Sequence, residues 1–276
     1  MINPFKTGKL KIGLTKLVFM YFFSTEVTSS KINSDRPLFL RTKKAYEIVS
    51  DYVSGKTLEI GCGEGYGVAL YYSKVSSLTL IDKSSYSVEL LKKKYPEATV
   101  IQQKIPPLKN IPNNYYDTII SFQVIEHIKN DSLFLKEIHR VLKPEGKVFL
   151  STPNANKSIA RNPWHYREYT FSELQSLTNT YFKDCIIKGI EGNKKTDEYY
   201  NNNGIAVSKL LKLDIFNLQK RMPAILLRIP YEILNRINRR GLLKKYRKQI
   251  ENLKSEDYTL NVFSDKTLDF FCILKK

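Results

Sequence analysis

Cysteine is scarce in this 276-residue sequence: Cys62, Cys185 and Cys272 are the three, far apart, and none belongs to a C-x-x-C pair. That spacing excludes a zinc cluster or a dithiol redox motif and leaves three separate, reduced, buried thiols as the expectation. Histidine is equally sparse, with His127, His139 and His165 alone, so imidazole chemistry is confined to three positions. Acid is in deficit: 27 Asp and Glu face 45 Lys and Arg, for a formal net charge of +18. Such a balance suits contact with phosphate or an anionic membrane, or simply keeps a chain soluble, and says nothing of fold. Long apolar runs are missing too. Leu17 to Phe23, preceded by Lys6, Lys9, Lys11 and Lys16, is far shorter than the roughly 20 residues of a membrane span. It is also short for a signal-peptide core, and no small-residue cleavage site follows. The expectation is a cytoplasmic protein, with peripheral membrane contact left open. There is no internal repeat and no low-complexity tract. Apolar residues still reach 42%, enough for a folded core.

What is present is an alternation. Ala45, Ile48, Val49 and Tyr52 recur at helical spacing and predict a helix over 41–53. Thr57–Gly61 reads as a short strand ending in glycine. Further strands are expected at Leu78–Ile81, Ala98–Gln102, Thr118–Phe122, Lys147–Ser151 and Ile186–Ile190, with helices at Ser85–Lys94, Asp131–Leu142 and 172–182. This order implies an α/β fold, a mostly parallel sheet covered by helices on both faces. The Asn-rich segment 192–204 reads as a loop and Leu268–Leu274 as a closing strand. Residues 206–254 hold thirteen Lys or Arg against three Asp or Glu. Their apolar residues recur at roughly helical spacing, and Pro223 and Pro230 are expected to break the run into pieces. Such helices suit a membrane surface or a phosphate backbone, or else cap a pocket with a solvated basic face. The implied organisation is an N-terminal extension or cap over 1–40, an α/β core over 41–191, a basic helical insert over 192–258 and a C-terminal strand over 259–276.

The densest motif is Leu58-Glu-Ile-Gly-Cys-Gly-Glu-Gly-Tyr-Gly67. A strand delivers this loop to the carboxyl edge of the sheet, where open α/β folds bind ligands. Gly61, Gly63 and Gly65 let the backbone turn sharply and lie against a ligand. Asp82 ends the next strand, 21 residues after Gly61, where a carboxylate can accept from both hydroxyls of a ribose. An adenosine-containing ligand follows. A nicotinamide dinucleotide fits less well, because G-x-G-x-x-G counted from Gly61 puts Tyr66 at the third glycine.

These residues resemble the class I methyltransferases that use S-adenosylmethionine (SAM), of the type 11/12 kind. The family's acid-x-Gly-x-Gly-x-Gly motif is met by Glu59, Gly61, Gly63 and Gly65. The resemblance covers roughly 41–190 and includes the runs 116–128, 138–154 and 162–174. It implies a Rossmann-like, doubly wound, seven-stranded sheet with an N-terminal helical cap and the basic insert before the last strand. It implies that the loop, with Cys62, cradles SAM, that Asp82 holds the ribose, and that Phe122 and Gln123 stand beside the cofactor. Where the family has an Asp after the third strand, this sequence has Gln102-Gln103-Lys104, which leaves Gln103 for the adenine.

Gln123-Val-Ile-Glu126-His127 is similar to the E-x-x-E-H run of ubiquinone-biosynthesis O-methyltransferases and of small-RNA 2′-O-methyltransferases. In the RNA group this run and a later histidine bind a divalent cation, and the resemblance carries that onto Glu126, His127 and His165, with Mg or Mn as the ion. Gln123 replaces the first, charged residue of the run. His127 and His165 follow the fourth and fifth strands, neighbours in a doubly wound sheet, so the two can converge. A metal there would lower an alcohol's pKa; without one, either histidine can act as general base; or Glu126 and His127 cap a helix and His165 packs under a loop. His139 reads as a packing or surface residue. The insert, after an N-P-W-H loop, looks like bacterial methyltransferases associated with cell-surface glycans, which implies a small-molecule or glycan acceptor methylated on a sugar hydroxyl. RNA as acceptor, and an inert SAM-fold protein that binds membrane or nucleic acid, are the alternatives.

Overall fold

A computed structural model describes residues 32–276. The Lys6–Phe23 stretch and most of the expected cap over 1–40 lie outside the described residues. One sheet organises the rest: β1 (Lys56–Ile60), β2 (Ser77–Asp82), β3 (Thr99–Gln102), β4 (Tyr116–Phe122), β5 (Leu142–Pro153), β6 (Asp184–Gly192), β7 (Tyr258–Val262) and β8 (Asp269–Lys275). Their order is β3-β2-β1-β4-β5-β8-β6-β7. β1 to β5 pair in parallel. β8 runs antiparallel between β5 and β6, and β7 runs antiparallel to β6. The chain leaves β1 toward β2 on one side and reaches β4 on the other, so the loop after β1 opens at the switch point where such sheets bind ligands.

Adjacent residues of the central strands serve opposite faces. Ile119 and Leu150 join one core cluster, with Phe134, Leu135 and Ile138. Ile120 and Phe149 join the other, with Tyr46, Val49 and Leu91. Burial on both faces explains why these strands read as near-continuous apolar runs. The covering helices are α1 (Arg36–Val49), α2 (Ser85–Lys94), α3 (Asp131–Val141) and α4 (Phe171–Asn179). α1 starts five residues before the expected 41, because Pro37 occupies its first turn, where a missing N–H costs nothing. Ser84, Asn130 and Thr170 cap α2, α3 and α4, the last with a reciprocal Glu173 bond.

The sheet has eight strands where seven were expected. The extra one, β7, is a five-residue edge strand on which Tyr258 alone is buried, so its sequence carries little apolar signal. A second correction concerns 192–204. Instead of a loop, most of it lies in α5 (Lys194–Leu211). Asn193 caps that helix by accepting from the N–H groups of Lys195 and Thr196. Asn202 and Asn203 accept from Tyr246 and Asn238, so tertiary contacts override the weak helix propensity of asparagine.

α6 (Leu218–Arg221), α7 (Ala224–Lys245) and α8 (Arg247–Glu251) follow. Pro223 does end a segment, but Pro230 sits inside α7. Contacts on both sides of Pro230 hold that helix. Before and after it, Arg228 covers the Trp164 ring at 4.3 Å and Glu232 accepts from Trp164 Nε1 at 2.7 Å. Beyond it, Arg236 and Arg239 each donate to Oδ1 of the fully buried Asp35, at 2.8 and 2.9 Å. Removing one partner of a buried ion pair leaves a charge uncompensated, a loss of about 3–5 kcal/mol. Asp35→Ala is therefore expected to lower the urea-unfolding free energy by about 3 kcal/mol or more, read as a lower midpoint at unchanged slope.

Candidate active site

The loop after β1 is held in a conformation that favours glycine. Gly61, Gly63 and Gly65 all have positive φ, at 76°, 53° and 65°. A Cβ on Gly61 would stand 2.4 Å from Val124 Cγ2, and one on Gly65 would stand 2.3 Å from Leu91 Cδ2. The Gly63 N–H donates to Asp82 Oδ2 at 2.9 Å and the Ser84 N–H to Oδ1 at 2.8 Å. Asp82 thus fastens the loop to the end of β2. A carboxylate at the end of the second strand is the usual partner of a ribose diol in such sheets.

The other expected cofactor residues divide. Glu59, Cys62 and Phe122 are buried. Glu59 accepts from Tyr46 at 2.6 Å and from Tyr71, Cys62 Sγ lies 3.6 Å from the Ile81 carbonyl, and Phe122 packs between Tyr46 and Phe271. Those side chains serve the core beneath the loop, which leaves their backbone for any ligand contact. Gln103 donates its N–H to the Asp82 carbonyl and its side chain to the Pro107 carbonyl. Gln123 has φ 56° and donates its N–H to the Ser151 carbonyl, tying the end of β4 to β5. One loop residue was missed from sequence: Glu64. Its Oε1 is buried and has no hydrogen-bond partner among the described residues. Its place between two of the motif glycines was the available signal.

The histidines do converge. His127 and His165 stack edge to face with ring centroids 4.7 Å apart. The Tyr166 N–H donates to the Glu126 carbonyl at 2.7 Å, and His127 Nδ1 lies 3.0 Å from the Trp164 carbonyl, so the loops after β4 and β5 are stapled together. His165 Nδ1 lies 2.6 Å from Glu168 Oε1, and its Nε2 lies 2.8 Å from the Asn162 amide nitrogen. With a carboxylate on one side and an amide donor on the other, the neutral imidazole carries its proton on Nδ1 and accepts at Nε2. Burial raises the Glu168 carboxyl, but hydrogen bonds from His165 and Ser158 and the charges of His165 and Arg41 outweigh it and hold it below the usual range. Glu126 is fully enclosed; burial pushes it up to about 7, against the charge of His165 and a 3.0 Å bond from Thr152. His139, by contrast, lies on α3 against Phe182.

Beside His165 and Glu168 opens a cavity of about 950 Å3, walled by the 153–168 loop, α5 and α7. Its lining carries six cations, Arg41, Lys157, Lys209, Lys212, Arg239 and Lys266, against Asp197 and Glu168, together with Tyr199, Tyr200 and Tyr231. Arg41 is itself paired with the buried Asp269 at 2.6 Å. The buried amide nitrogen of Asn235, another lining residue, has no hydrogen-bond partner among the described residues.

A glycine loop at the switch point and a carboxylate ending the next strand are the features by which open α/β sheets receive nucleoside-bearing ligands. Comparison with known proteins points the same way. Residues 58–150 match the family described as methyltransferase domain. A Mycobacterium tuberculosis protein named probable S-adenosylmethionine-dependent methyltransferase is 31% identical over 158 residues, 55% of this chain and 57% of that one. The chain thus spans little more than half the length of the mycobacterial relatives it matches. A ubiquinone biosynthesis O-methyltransferase of Rickettsia typhi is 27% identical over 177 residues, 56% of this chain and 71% of that protein. Among solved structures, a SAM dependent methyltransferase from Archaeoglobus fulgidus shares the fold with a TM-score of 0.52 at 17% identity, over 87% of this chain and 94% of that one. Residues 58–150 thus carry the sequence pattern of a methyltransferase domain, and the described residues share the fold of a solved SAM dependent methyltransferase.

The residues present fit SAM. Asp82 stands at the strand end where a carboxylate meets a ribose, and the orphaned Glu64 oxygen offers a counter-charge for a cationic amino-acid end. Beneath the loop, burial pushes the Glu59 carboxyl up to about 7, with the bonds from Tyr46 and Tyr71 working the other way. A carboxyl whose pKa is higher folded than unfolded stabilises the fold fully below the unfolded value, and that contribution fades as pH rises through the folded value. Glu59 should therefore weaken the protein between about pH 4.5 and 7. Glu59→Gln removes this slope, so its thermal midpoint should fall less than the parent's between pH 5 and 8 in a calorimetric series.

Proposed function

We propose that this protein transfers the methyl group of SAM to an oxygen, a hydroxyl on a sugar carried by a glycan or lipid-linked glycan. One observation carries the reading: His165, oriented by Glu168, lies on the wall of a cavity rich in cations, tyrosines and amides. SAM, when bound, supplies a methyl on a positively charged sulfur. The chain's part is to place the acceptor oxygen and take its proton. His165 Nε2, exchanging Asn162 for the acceptor hydroxyl, receives that proton, and Glu168 stabilises the imidazolium that results. Tyrosine faces and amide donors suit a sugar, and the excess of cations suits a phosphate or carboxylate attached to it. The naming of the Rickettsia relative as an O-methyltransferase supports oxygen as the acceptor atom.

A divalent cation is the second reading. Glu126, His127 and His165 each offer a ligand atom, and these atoms lie within 4.8 Å of one another. Tetrahedral ligands about 2.1 Å from one ion stand about 3.4 Å from each other, so the three side chains would draw together to seat it. The Trp164 carbonyl and Glu168 already hold the Nδ1 atoms, the usual support for metal-bound imidazoles. Such an ion would supply a Lewis acid for the acceptor hydroxyl.

Three measurements test these readings. Asp82→Ala should weaken SAM binding in calorimetry by about 1–3 kcal/mol; unchanged affinity would remove Asp82 from the cofactor site. With labelled SAM and a panel of sugar, lipid-linked glycan and RNA acceptors, label should enter the sugars, and His165→Ala should lower turnover at least about 100-fold while SAM affinity holds. Turnover that survives a chelator supports the histidine base, and turnover lost to a chelator and restored by Mg or Mn supports the cation.

A further inference from the structure

α7 is amphipathic the wrong way round for a helix on a soluble domain. Arg228 and Glu232 meet Trp164, Arg236 and Arg239 meet Asp35, and Asn238 meets Asn203. Apart from Leu242, which packs with Tyr199 and Ile250 at its far end, the residues it turns inward to make these contacts are polar. Its outward residues are aliphatic. Ile225, Leu226, Ile229, Ile233, Leu234 and Ile237 are all exposed, Ile229 by 72%. The segment that leads into it adds Leu213, Ile215 and Phe216, with Ile215 exposed by 79%. Soluble domains scatter single apolar residues on their surface, but they rarely concentrate this many within 25 residues of chain.

The surrounding exposed charge is basic; Asp214, within the leading segment, has its carboxylate taken up by the Leu218 and Gln219 N–H groups. Lys212, Lys220 and Arg221 are exposed ahead of α7, and Arg240, Lys244 and Lys245 are exposed on its last two turns, along the same outward face. The basic residues Arg236 and Arg239 do not belong to this set, because Asp35 draws them inward. An aliphatic face bordered by cations is the pattern of a helix lying in the interface of an anionic membrane, apolar side among the acyl chains and cations at the headgroups. No helix of the described residues is long and apolar enough to cross a membrane, which agrees with a helix that lies on the surface.

We infer that the outward face of α7, with the Leu213–Phe216 segment, docks on an anionic lipid bilayer. The inference stands apart from the acceptor assignment, since it concerns where the protein sits and not what it methylates. It has a geometric corollary: Tyr231, Asn235 and Arg239, on the other side of the same helix, line the cavity. Docking therefore brings that cavity within one helix diameter, about 10 Å, of the lipid.

The test is co-sedimentation of the full chain with vesicles of phosphatidylcholine alone or mixed with phosphatidylglycerol. The protein should pellet with the anionic vesicles, and the bound fraction should fall as salt rises. Ile229→Asp/Ile233→Asp and Arg240→Glu/Lys244→Glu/Lys245→Glu should each reduce binding about tenfold or more, with circular dichroism melting curves like the parent's. Equal partition of parent and variants, or no binding to anionic vesicles, overturns the inference. So does a parent dimer in sedimentation velocity that the Ile variants dissolve without any vesicle binding, which would make a second copy the occupant. A large fall in melting temperature in the Ile variants of a protein that ignores vesicles overturns it as well, by showing the face packed within the molecule.

Discussion

Asp35 is fully buried and receives a guanidinium from Arg236 and another from Arg239, and this fixes the rotation of α7 about its own axis. One buried cation and one half-buried one on consecutive inward turns cannot turn outward while the carboxylate stays, because each charge would then lose its partner. With that face pinned, the aliphatic residues have no choice but to point away. The same rotation carries Tyr231, Asn235 and Arg239 to the cavity and lets Glu232 and Arg228 grip Trp164. Trp164 belongs to the loop that holds His165. One ion triplet thereby positions the wall of the cavity, the histidine loop and the external apolar face together.

The two ends of the site are built on different physics. At the glycine loop the protein offers oriented backbone and carboxylates, with Asp82 accepting one N–H on each oxygen. At the histidines it offers titratable groups in a low-dielectric setting, where Glu126 is nearly as easily protonated as an imidazole and Glu168 keeps its charge. Two carboxyls within reach of one histidine are driven apart by surroundings, one by burial and one by hydrogen bonds. Such separation is how neighbouring acids come to hold different protonation states at one pH.

The glycine spacing, Asp82 and the meeting of His127 with His165 were legible because each rests on a local signal. The glycines satisfy a backbone demand within five residues, and adjacency of β4 and β5 follows from the order of a doubly wound sheet. What was hidden depends on partners distant in sequence. Helical folding of the Asn-rich segment needs Tyr246 and Asn238, some 35–44 residues on. Nothing marks Arg239 among the thirteen cations of its segment as turned inward, because Asp35 stands 204 residues away. The part of Glu168 needs only a three-residue spacing from His165, but nothing in a polar loop says that the two side chains turn toward each other. Glu59 illustrates the converse: the motif marked it, yet Tyr46 and Tyr71 claim its oxygens for the core.

The position of β8 has a consequence for the order in which the molecule can be made. Asp269–Lys275 is synthesised after every other strand, yet it pairs along seven residues with β5 and along seven with β6. A nascent chain that has not yet delivered this segment holds its sheet in two parts, a parallel half ending at β5 and a β6–β7 ribbon. Each part then presents a raw edge of unpaired N–H and carbonyl groups, the kind of edge that recruits strands from neighbouring chains. Vectorial synthesis thus leaves the seam of the sheet open until Asp269–Lys275 emerges, and a ribosome stalled shortly before Asp269 would carry a polypeptide whose two half-sheets are unjoined.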